Sequence, residues 1–376
     1  MNFHRLFLIY GAAFTIMGLS NAVIPILPEL ADLSNLYSGG LASSMLFSAY
    51  FLGALGTMLP SGILADKFGN LKFIGLGIIL TAISGLIILL SENLWILLIA
   101  RLIEGFACGA FLPAAFTMLS KLRNPGRYIG EFVFLFNGGL AAGAFLSGML
   151  ADTYLKGAIV IFTIIAFLLT IYLISKYRGL VDPESKGKED IFKVPENSDL
   201  FRKPYREIKE LLNRGNSGLW LSSFLLNGAI GVLVAYYPDY SFGTITKAQL
   251  GISISSLYVC TMVASLIGGH FKVNEKTLIR IGMGFSALGV LFAIKYPLFG
   301  FSSLGGGAGV ATVGFALAVA RMNADRGLAM GLFNTTIYAG LSLAPIIAGL
   351  FTDVMSFEKL FIANGCILAG TLILRE

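Results

Sequence analysis

The chain has 376 residues, of which 56% are hydrophobic and only 13% are charged, and its mean hydropathy is +0.81. Soluble domains carry roughly 25% charged residues, so this composition excludes a water-soluble globular fold. Most of the net charge of +6 comes from segments between apolar blocks, which indicates membrane topology instead of nucleic-acid binding.

The apolar blocks predict membrane-spanning helices. A bilayer core about 30 Å thick needs ~20 mostly apolar residues per helix, so the chain has room for about twelve spans. A membrane β-barrel would require alternating apolar and polar positions, whereas blocks such as Phe73–Leu90 are unbroken. We therefore predict an all-α membrane protein. In chain order, the predicted spans are residues 6–28, 39–60, 73–90, 94–119, 129–150, 157–176, 217–237, 249–269, 277–295, 299–320, 327–350 and 357–374.

The distribution of basic residues predicts the orientation of these spans. The side opposite the two termini holds four lysines, at positions 156, 247, 295 and 359, and Arg101 lies inside a span. The remaining 22 of the 27 Lys and Arg residues lie on the side of the termini. Because cytoplasmic loops carry the basic excess, we predict a multi-pass protein of the cell (inner or plasma) membrane with both termini cytoplasmic.

A long polar connector divides the predicted spans six and six. Residues 177–215 contain prolines and alternating Lys and Glu, so we predict an N-terminal bundle at 1–176, a cytoplasmic linker at 177–215 and a C-terminal bundle at 216–376. The halves also resemble each other: Gly139, Gly148 and Asp152 recur 201 positions later as Gly340, Gly349 and Asp353. Duplicated halves of this kind are common in transporters.

A short polar segment after the second span combines two glycines with an acid and two bases. It runs from Gly62 to Lys72, and we expect a tight turn bounded by Gly62 and Gly69. Asp66 and Lys67 lie within it, and the Asp66 carboxylate is suited to a helix N-terminus or an arginine in one conformation. The alternative is an ordinary charged turn.

Two charged residues lie within the fourth span. Arg101 and Glu104 are three residues apart and so share one helix face, and charges at this depth are costly unless they are paired or line a wet cavity. They form either a structural ion pair or a proton sensor, in which protonation of Glu104 releases Arg101. Glu131, near the start of span five, either assists this proton transfer or faces the cytoplasm.

These segments resemble signatures of the major facilitator superfamily. The segment Gly62–Lys72 resembles the GxLaDrxGrk gate signature and is called here the gate segment; the resemblance implies that Asp66 stabilises the outward-facing state by bridging span two to the N-terminus of span eleven. Arg101–Gly105 resembles the RxxqG pattern of the fourth helix. Span five, at Gly139–Gly148, is similar to the gxxxGPxxGG pattern of the 12-helix drug:proton antiporters, and Pro25–Pro28 resembles the PxxP ending of their first helix. The resemblance implies a major facilitator fold: twelve transmembrane helices in two pseudo-symmetric six-helix bundles that work by alternating access.

Seven polar or aromatic residues lie near the predicted midplane on spans that line the cavity of the superfamily fold. With many of the phenylalanines they predict an amphipathic substrate pocket, although each could instead be a packing residue. They are Asn21, Tyr50, Asn137, Asn227, Tyr258, Asn334 and Tyr338.

Enzyme and cofactor signatures are absent from the sequence. It contains no nucleotide-binding GxxxxGK[ST], no HExxH and no Cys/His ligand spacing, and its three cysteines fall in apolar blocks as small packing residues. We therefore predict that the chain is not an enzyme and binds no metal, cofactor or nucleic acid. Its expected partners are a small-molecule substrate, protons and the lipid bilayer, and we expect a monomer.

Two transport functions fit these patterns. The first is proton-coupled export of a small amphipathic molecule, which follows from the antiporter resemblance and Glu104. The second is proton-coupled uptake of a small polar or anionic solute, with Arg101 as the anchor. A third reading, a receptor or membrane enzyme on the same scaffold, is disfavoured by the gate segment and by the lack of reactive clusters.

Overall fold

In the computed structural model the described residues are 3–32, 40–180, 211–212, 217–269, 273–322 and 326–373, apart from the side chains of residues 66, 177–180, 326–328 and 373. Regular structure in these residues is entirely helical. The twelve main helices are α1 (Phe3–Ala22), α2 (Gly40–Phe68), α3 (Asn70–Leu90), α4 (Leu94–Ser120), α5 (Pro125–Leu150), α6 (Gly157–Leu180), α7 (Ser217–Tyr240), α8 (Lys247–Gly268), α9 (Glu275–Ala293), α10 (Pro297–Ala320), α11 (Arg326–Gly349) and α12 (Phe357–Gly370).

The helix lengths match a bilayer. Among the described residues, eleven helical segments are long and apolar enough to cross a membrane. The exception, α12, has 14 residues, and a 3-10 turn at Thr371–Ile373 continues it. Together they reach about 27 Å, close to the ~30 Å hydrocarbon core. The predicted number of spans is confirmed, and an even number places the start of α1 and the end of α12 on one membrane side, called here the terminal side.

The first span is not one continuous helix. After α1 ends at Ala22, the chain makes a 3-10 turn at Ile24–Ile26 and a short helix at Leu27–Asp32. Proline lacks a backbone N–H, so Pro25 cannot continue the hydrogen bonding of α1. Pro28 is tolerated because it lies in the first turn of the new helix, where N–H groups have no helical partner. The short helix projects its acidic residues at the side opposite the termini.

The predicted gate turn is wrong in its extent. The segment between Gly62 and Phe68 is the last part of α2, and the chain reverses only at Gly69, where φ is +97°. That conformation favours glycine, and α3 begins at the next residue. Gly62 is accommodated in the helix beside Pro113 of α4, from which an added Cβ would be 3.5 Å. Three of the six residues between the two glycines, Leu64, Ala65 and Lys67, are good helix formers, which favours continuation of the helix.

The helices form two pseudo-symmetric six-helix bundles, α1–α6 and α7–α12. Within them α5 packs on α1 and α11 packs on α7 in the same manner. A Cβ added at Gly139 would lie 2.4 Å from the Phe14 carbonyl oxygen, and one at Gly340 would lie 2.5 Å from that of Phe224. These glycines belong to the 201-residue repeat. The predicted internal duplication is therefore confirmed in the helix packing.

Contacts between the bundles follow the same symmetry. α5 of the first bundle packs on α8 of the second, and α11 of the second packs on α2 of the first. The linker predicted at 177–215 lies outside the described residues, apart from the end of α6 and residues 211–212.

The outer surface of the bundles carries large apolar side chains. On α6, Ile164, Leu168, Ile171 and Ile174 follow one helix face, and between 52% and 67% of each residue is exposed. In water such an apolar face would favour aggregation, whereas a helix that faces lipid requires one.

Lys156, in the loop between α5 and α6, ties down the end of α3. Its ammonium group donates hydrogen bonds to the carbonyl oxygens of Ile88 (2.9 Å), Leu89 (3.3 Å) and Ser91 (2.9 Å). Helix C-termini leave such carbonyl groups without helical partners, and a cation there also complements the helix dipole. Burial lowers the pKa of Lys156, and the charge of Glu92 acts in the opposite direction.

Candidate functional site

The predicted pair in α4 is present and buried. Arg101 is 2% exposed and Glu104 is 0% exposed, and Arg101 Nη1 lies 2.5 Å from Glu104 Oε2. Arg101 Nε also donates to the carbonyl oxygen of Leu46 (3.2 Å), and Nη1 donates to that of Ser20 (3.4 Å). The guanidinium group therefore joins α4 to both α2 and α1.

The Glu104 carboxylate is only half satisfied. Oε2 accepts the bond from Arg101, whereas Oε1 is buried with no hydrogen-bond partner in the described structure. A buried acceptor without a partner costs free energy, and a charged one costs more. A proton on Oε1 would remove the negative charge that causes this cost, and it could bind without displacing Arg101.

Tyr50 of α2 covers the other side of Arg101. The guanidinium carbon lies 5.0 Å from the centre of the Tyr50 ring, within range of a cation–π interaction. The Tyr50 hydroxyl is 3.9 Å from Met17 Sδ of α1. Arg101 thus keeps favourable contacts that do not depend on Glu104.

Cys108 extends the polar face of α4 toward the second bundle. It lies one turn beyond Glu104, and its Sγ is 3.5 Å from the hydroxyl of Tyr338 on α11. The Tyr338 ring packs on Phe51 of α2, with centroids 5.9 Å apart. The sequence analysis treated Cys108 only as a packing residue. The spacing of residues 101, 104 and 108 on one helix face was the signal that could have identified it.

A second link between the bundles involves two other predicted pocket residues. Asn21 of α1 donates its amide to the Leu140 carbonyl oxygen of α5 (2.9 Å), and the Tyr258 hydroxyl of α8 is 3.5 Å from Asn21 Oδ1. Asn21, Tyr50, Tyr258 and Tyr338 are therefore all at contacts between helices in the interior.

The other three predicted pocket residues do not join this set. Asn137 donates to the Val133 carbonyl oxygen (2.9 Å) and Asn227 to that of Ser223 (2.8 Å), each one turn back on its own helix. Asn334 is half-buried on α11, four residues before Tyr338. The side-chain amides of Asn137 and Asn227 thus donate to backbone carbonyl oxygens of their own helices.

Glu131 lies apart from the α4 pair. Its Oε1 accepts from Arg127 Nε and its Oε2 from the Tyr10 hydroxyl, both at 2.7 Å, and 37% of its side chain is exposed. Judged from the rise per residue along α4 and α5, Glu131 lies about 13 Å nearer the terminal side than Glu104. Glu131 thus has Arg127 and Tyr10 as its partners, and its assistance in proton transfer at Glu104 stays a prediction.

The gate residues are only partly described. Gly62 and Lys67 lie in the last turns of α2, with Lys67 exposed, and Gly69 forms the reversal. The Asp66 side chain lies outside the described part of the structure, so its contact with α11 stays a prediction.

A charged cluster that the sequence analysis did not identify lies on the side opposite the termini. It consists of Glu29, Ser43, Asp239 and Lys247, and we call it the opposite-side cluster. Lys247 Nζ is 2.5 Å from Glu29 Oε1 and 2.9 Å from the Pro25 carbonyl oxygen, and Ser43 Oγ donates to Asp239 Oδ1 at 3.2 Å. The available signal was the presence of opposite charges at span ends on one membrane side.

The family model described as Major Facilitator Superfamily matches residues 6–244 and 219–375 of the chain. An uncharacterized MFS-type transporter of Methanocaldococcus jannaschii is 24% identical over 95% of this chain and 93% of its own length. The quinolone resistance protein NorA of Staphylococcus aureus is 24% identical over 98% of this chain and 95% of its own. A crystal structure of the nucleoside transporter NupG has a TM-score of 0.76 at 14% identity, covering 98% of this chain and 97% of that one.

The match extends over almost the entire chain, in agreement with the twelve helices and the two bundles. This protein therefore belongs to the Major Facilitator Superfamily and is a membrane transporter, not an enzyme.

Proposed function

We propose that this transporter exports a small amphipathic molecule in exchange for protons, by alternating access, and that Glu104 carries the proton. The observation that carries the proposal is the fully buried Glu104 carboxylate, with one oxygen paired to Arg101 and the other without a partner among the described residues. A buried carboxylate in this state has a specific position for one proton.

The contacts of Arg101 make reversible protonation physically reasonable. Removing a charge from a buried ion pair usually leaves its partner uncompensated at high cost. Arg101 retains two backbone carbonyl acceptors and the face of Tyr50 when Glu104 becomes neutral. The pair can therefore change its charge without leaving the arginine unsatisfied.

Contacts along one face of α4 can also connect protonation of Glu104 to the arrangement of the two bundles. Glu104 and Cys108 are one turn apart, and Cys108 contacts Tyr338 across the bundle interface. A change of charge at Glu104 alters the field at Tyr50 and Cys108, and so biases the contact with α11. This supports coupling of proton binding to the movement of the bundles.

The chemistry of the interior supports an amphipathic substrate. The rings of Phe51, Tyr50 and Tyr338 pack together, with hydroxyl groups and the Asn21 amide as polar contacts. Several relatives are named quinolone resistance proteins, which supports export as the direction. The basic excess on the terminal side supports a cytoplasmic location of both termini in the cell membrane.

The contacts of Arg101 give no support to uptake of an anionic solute. Arg101 is buried, and its Nε and Nη1 already donate to protein oxygens, so at these two nitrogens an anion would have to displace Glu104 or the backbone carbonyls. We therefore favour export.

Replacement of Glu104 by glutamine tests the proposal. The amide keeps the shape of the side chain and can still accept a hydrogen bond from Arg101, but it cannot carry a proton. In proteoliposomes with an imposed pH gradient, Glu104→Gln should bind substrate but lose concentrative transport. Compounds for this assay can be found by thermal stabilisation, since a ligand at 100 times its Kd adds about 2.7 kcal/mol.

Glu131→Gln is the matched control, because Glu131 also belongs to an arginine pair but is partly exposed. It should retain pH-driven transport. A Glu104→Gln protein that still concentrates substrate against its gradient would show that Glu104 is not the carrier.

A further inference from the structure

The opposite-side cluster joins the two bundles where they meet on that membrane side. Glu29 and Ser43 belong to the first bundle, and Asp239 and Lys247 belong to the second. Nearby, an added Cβ at Gly148 of α5 would be 2.7 Å from the Gly251 Cα of α8. Such tight contact means that the bundles are closed together at this side, and the cluster is assembled only while they are closed.

Charges in the cluster do not balance. Lys247 is the cation that neutralises Glu29, and it also packs over the Phe242 ring at 5.6 Å. Asp239 has the neutral Ser43 hydroxyl as its direct partner. Glu29 Oε2 and Asp239 Oδ2 are both buried with no hydrogen-bond partner in the described structure. Closing this side thus gathers two carboxylates around one ammonium group.

The described groups around the cluster do not remove its excess negative charge. Lys247 is the cation that acts electrostatically on Asp239, while Glu29 and Asp32 add negative charge. The charge of Asp239 also acts on Tyr236, one turn earlier on α7, but the Tyr236 hydroxyl donates to the Pro345 carbonyl oxygen and not to Asp239. Of these groups, Glu29 has an ammonium partner at ion-pair distance. Asp239 is therefore the carboxylate that is stabilised by becoming neutral.

We propose that the opposite-side cluster is a pH-sensitive latch, in which closing this side binds one proton from the adjacent water on Asp239 and opening returns it. The proton forms an O–H bond at Oδ2, and no other bond changes. When the bundles separate, Glu29 and Lys247 part and all four side chains meet water, so Asp239 ionises. The latch is separate from the proposed carrier, because its proton enters and leaves on the same side of the membrane.

Proton linkage determines the direction of the effect. The closed state binds the extra proton, so acid favours closure of this side and alkali favours opening. For one linked proton, the ratio of closed to open molecules should change by at most about tenfold per pH unit.

Distances between two spin labels on the opposite side can measure this ratio. Tyr154, in the α5–α6 loop, is 58% exposed, and Val354, in the α11–α12 loop, is 83% exposed, so each can be replaced by a labelled cysteine. Cys260 and Cys366 are replaced, while Cys108 is buried and is left in place. A protein without the two introduced cysteines reports any labelling of Cys108. The measurements use the Glu104→Gln background, so that titration of the proposed carrier does not contribute.

The latch predicts a distinct response for each variant. The parent should shift toward the short distance as pH falls. Asp239→Asn should keep the short distance across the pH range, because its neutral side chain replaces the protonated carboxyl group. Lys247→Gln should close only at lower pH, since two carboxylates then lack a cation. Glu275→Gln is the matched control, because its partner Arg321 lies in the same bundle on the terminal side, and it should follow the parent.

Two results would overturn the latch. One is a parent whose distance distribution does not depend on pH. The other is an Asp239→Asn protein that keeps the pH response of the parent. Because Lys247→Gln and Asp239→Asn should move the equilibrium in opposite directions, general loss of structure cannot reproduce the expected pattern. None of these outcomes depends on transport, so they are independent of the test of Glu104.

Discussion

The two charged sites of this transporter differ in how their partners are connected. Arg101 and Glu104 are three residues apart on α4, so their ion pair moves as a unit with one bundle. Glu29 and Lys247 belong to different bundles and meet only when one side is closed. The first site is thus suited to carry a proton while the bundles move, whereas the second is suited to stabilise one state of the cycle.

The two sites also differ in how deeply their charged side chains are buried. Arg101 and Glu104 are 2% and 0% exposed, so breaking their pair affects the stability of the bundle. Lys247 and Glu29 are 17% and 24% exposed, and opening of the bundles can hydrate both. Substitutions at the first site should therefore change the free energy of unfolding. Substitutions at the second site should change the ratio of closed to open molecules.

The largest effect should follow removal of the buried cation. Arg101→Ala leaves Glu104 without its partner at 0% exposure, and breaking a buried pair costs about 3–5 kcal/mol. We expect that loss in the free energy of unfolding in mixed micelles, together with arrest of transport. Arg127→Ala is the control, because the Arg127–Glu131 pair is solvent-exposed and its loss should not measurably change unfolding. If the two variants unfold alike, the buried pair does not stabilise the bundle.

A pair of glycines gives a second comparison, at a smaller expected effect. A Cβ added at Gly143 would lie 2.1 Å from the Gly18 carbonyl oxygen, a contact within one bundle. A Cβ added at Gly251 would lie 2.6 Å from the Ala144 carbonyl oxygen, a contact between the bundles. Gly143→Ala should destabilise the protein by about 1–3 kcal/mol, because helices in one bundle cannot separate. Gly251→Ala should leave unfolding nearly unchanged and populate the state open on the opposite side.

Thermal unfolding and the spin-label distances measure the two effects of these glycine variants separately. Equal loss of stability in both variants would mean that the α5–α8 interface is as permanent as the α5–α1 interface. The distinction between contacts within and between bundles would then not apply to this region.

Local patterns in the sequence were sufficient for much of the fold. Apolar blocks predicted the helices, and the repeat of Gly139 at Gly340 predicted the equivalent packing of α5 and α11. The three-residue spacing of Arg101 and Glu104 predicted their pairing, since one helix turn brings such residues together. Each of these features depends on residues that are close in sequence or regularly repeated.

Features that depend on competition or on distant contacts were harder to predict. The glycines near the end of α2 suggested a turn, but helix-forming residues between them continued the helix to Phe68. Asp239 and Lys247 lie on neighbouring helices, yet their partners Ser43 and Glu29 are almost 200 or more residues away. No local pattern states which span ends will meet, because that depends on the packing of two complete bundles.

The smallest effect should come from a hydroxyl group at the bundle interface. The Tyr338 hydroxyl contacts Cys108 across the interface at 3.5 Å, whereas the Tyr237 hydroxyl donates to the Ala293 carbonyl oxygen within the second bundle at 2.6 Å. Both residues are buried, and replacement by phenylalanine removes only the hydroxyl. The two variants therefore compare one hydrogen bond between bundles with one inside a bundle.

Tyr237→Phe should lower the free energy of unfolding by about 1–2 kcal/mol, because it leaves a buried carbonyl oxygen without its partner. Tyr338→Phe should change unfolding by less than about 0.5 kcal/mol, since a thiol is a weak partner and the bundles can adjust. Its effect should appear instead as a roughly two- to threefold change in transport rate, which corresponds to about 0.5 kcal/mol. Unfolding and flux measured on both variants decide the matter. A Tyr338→Phe protein that loses stability like Tyr237→Phe, with unchanged transport, would show that Tyr338 is a packing residue and that the Cys108 contact does not couple the bundles.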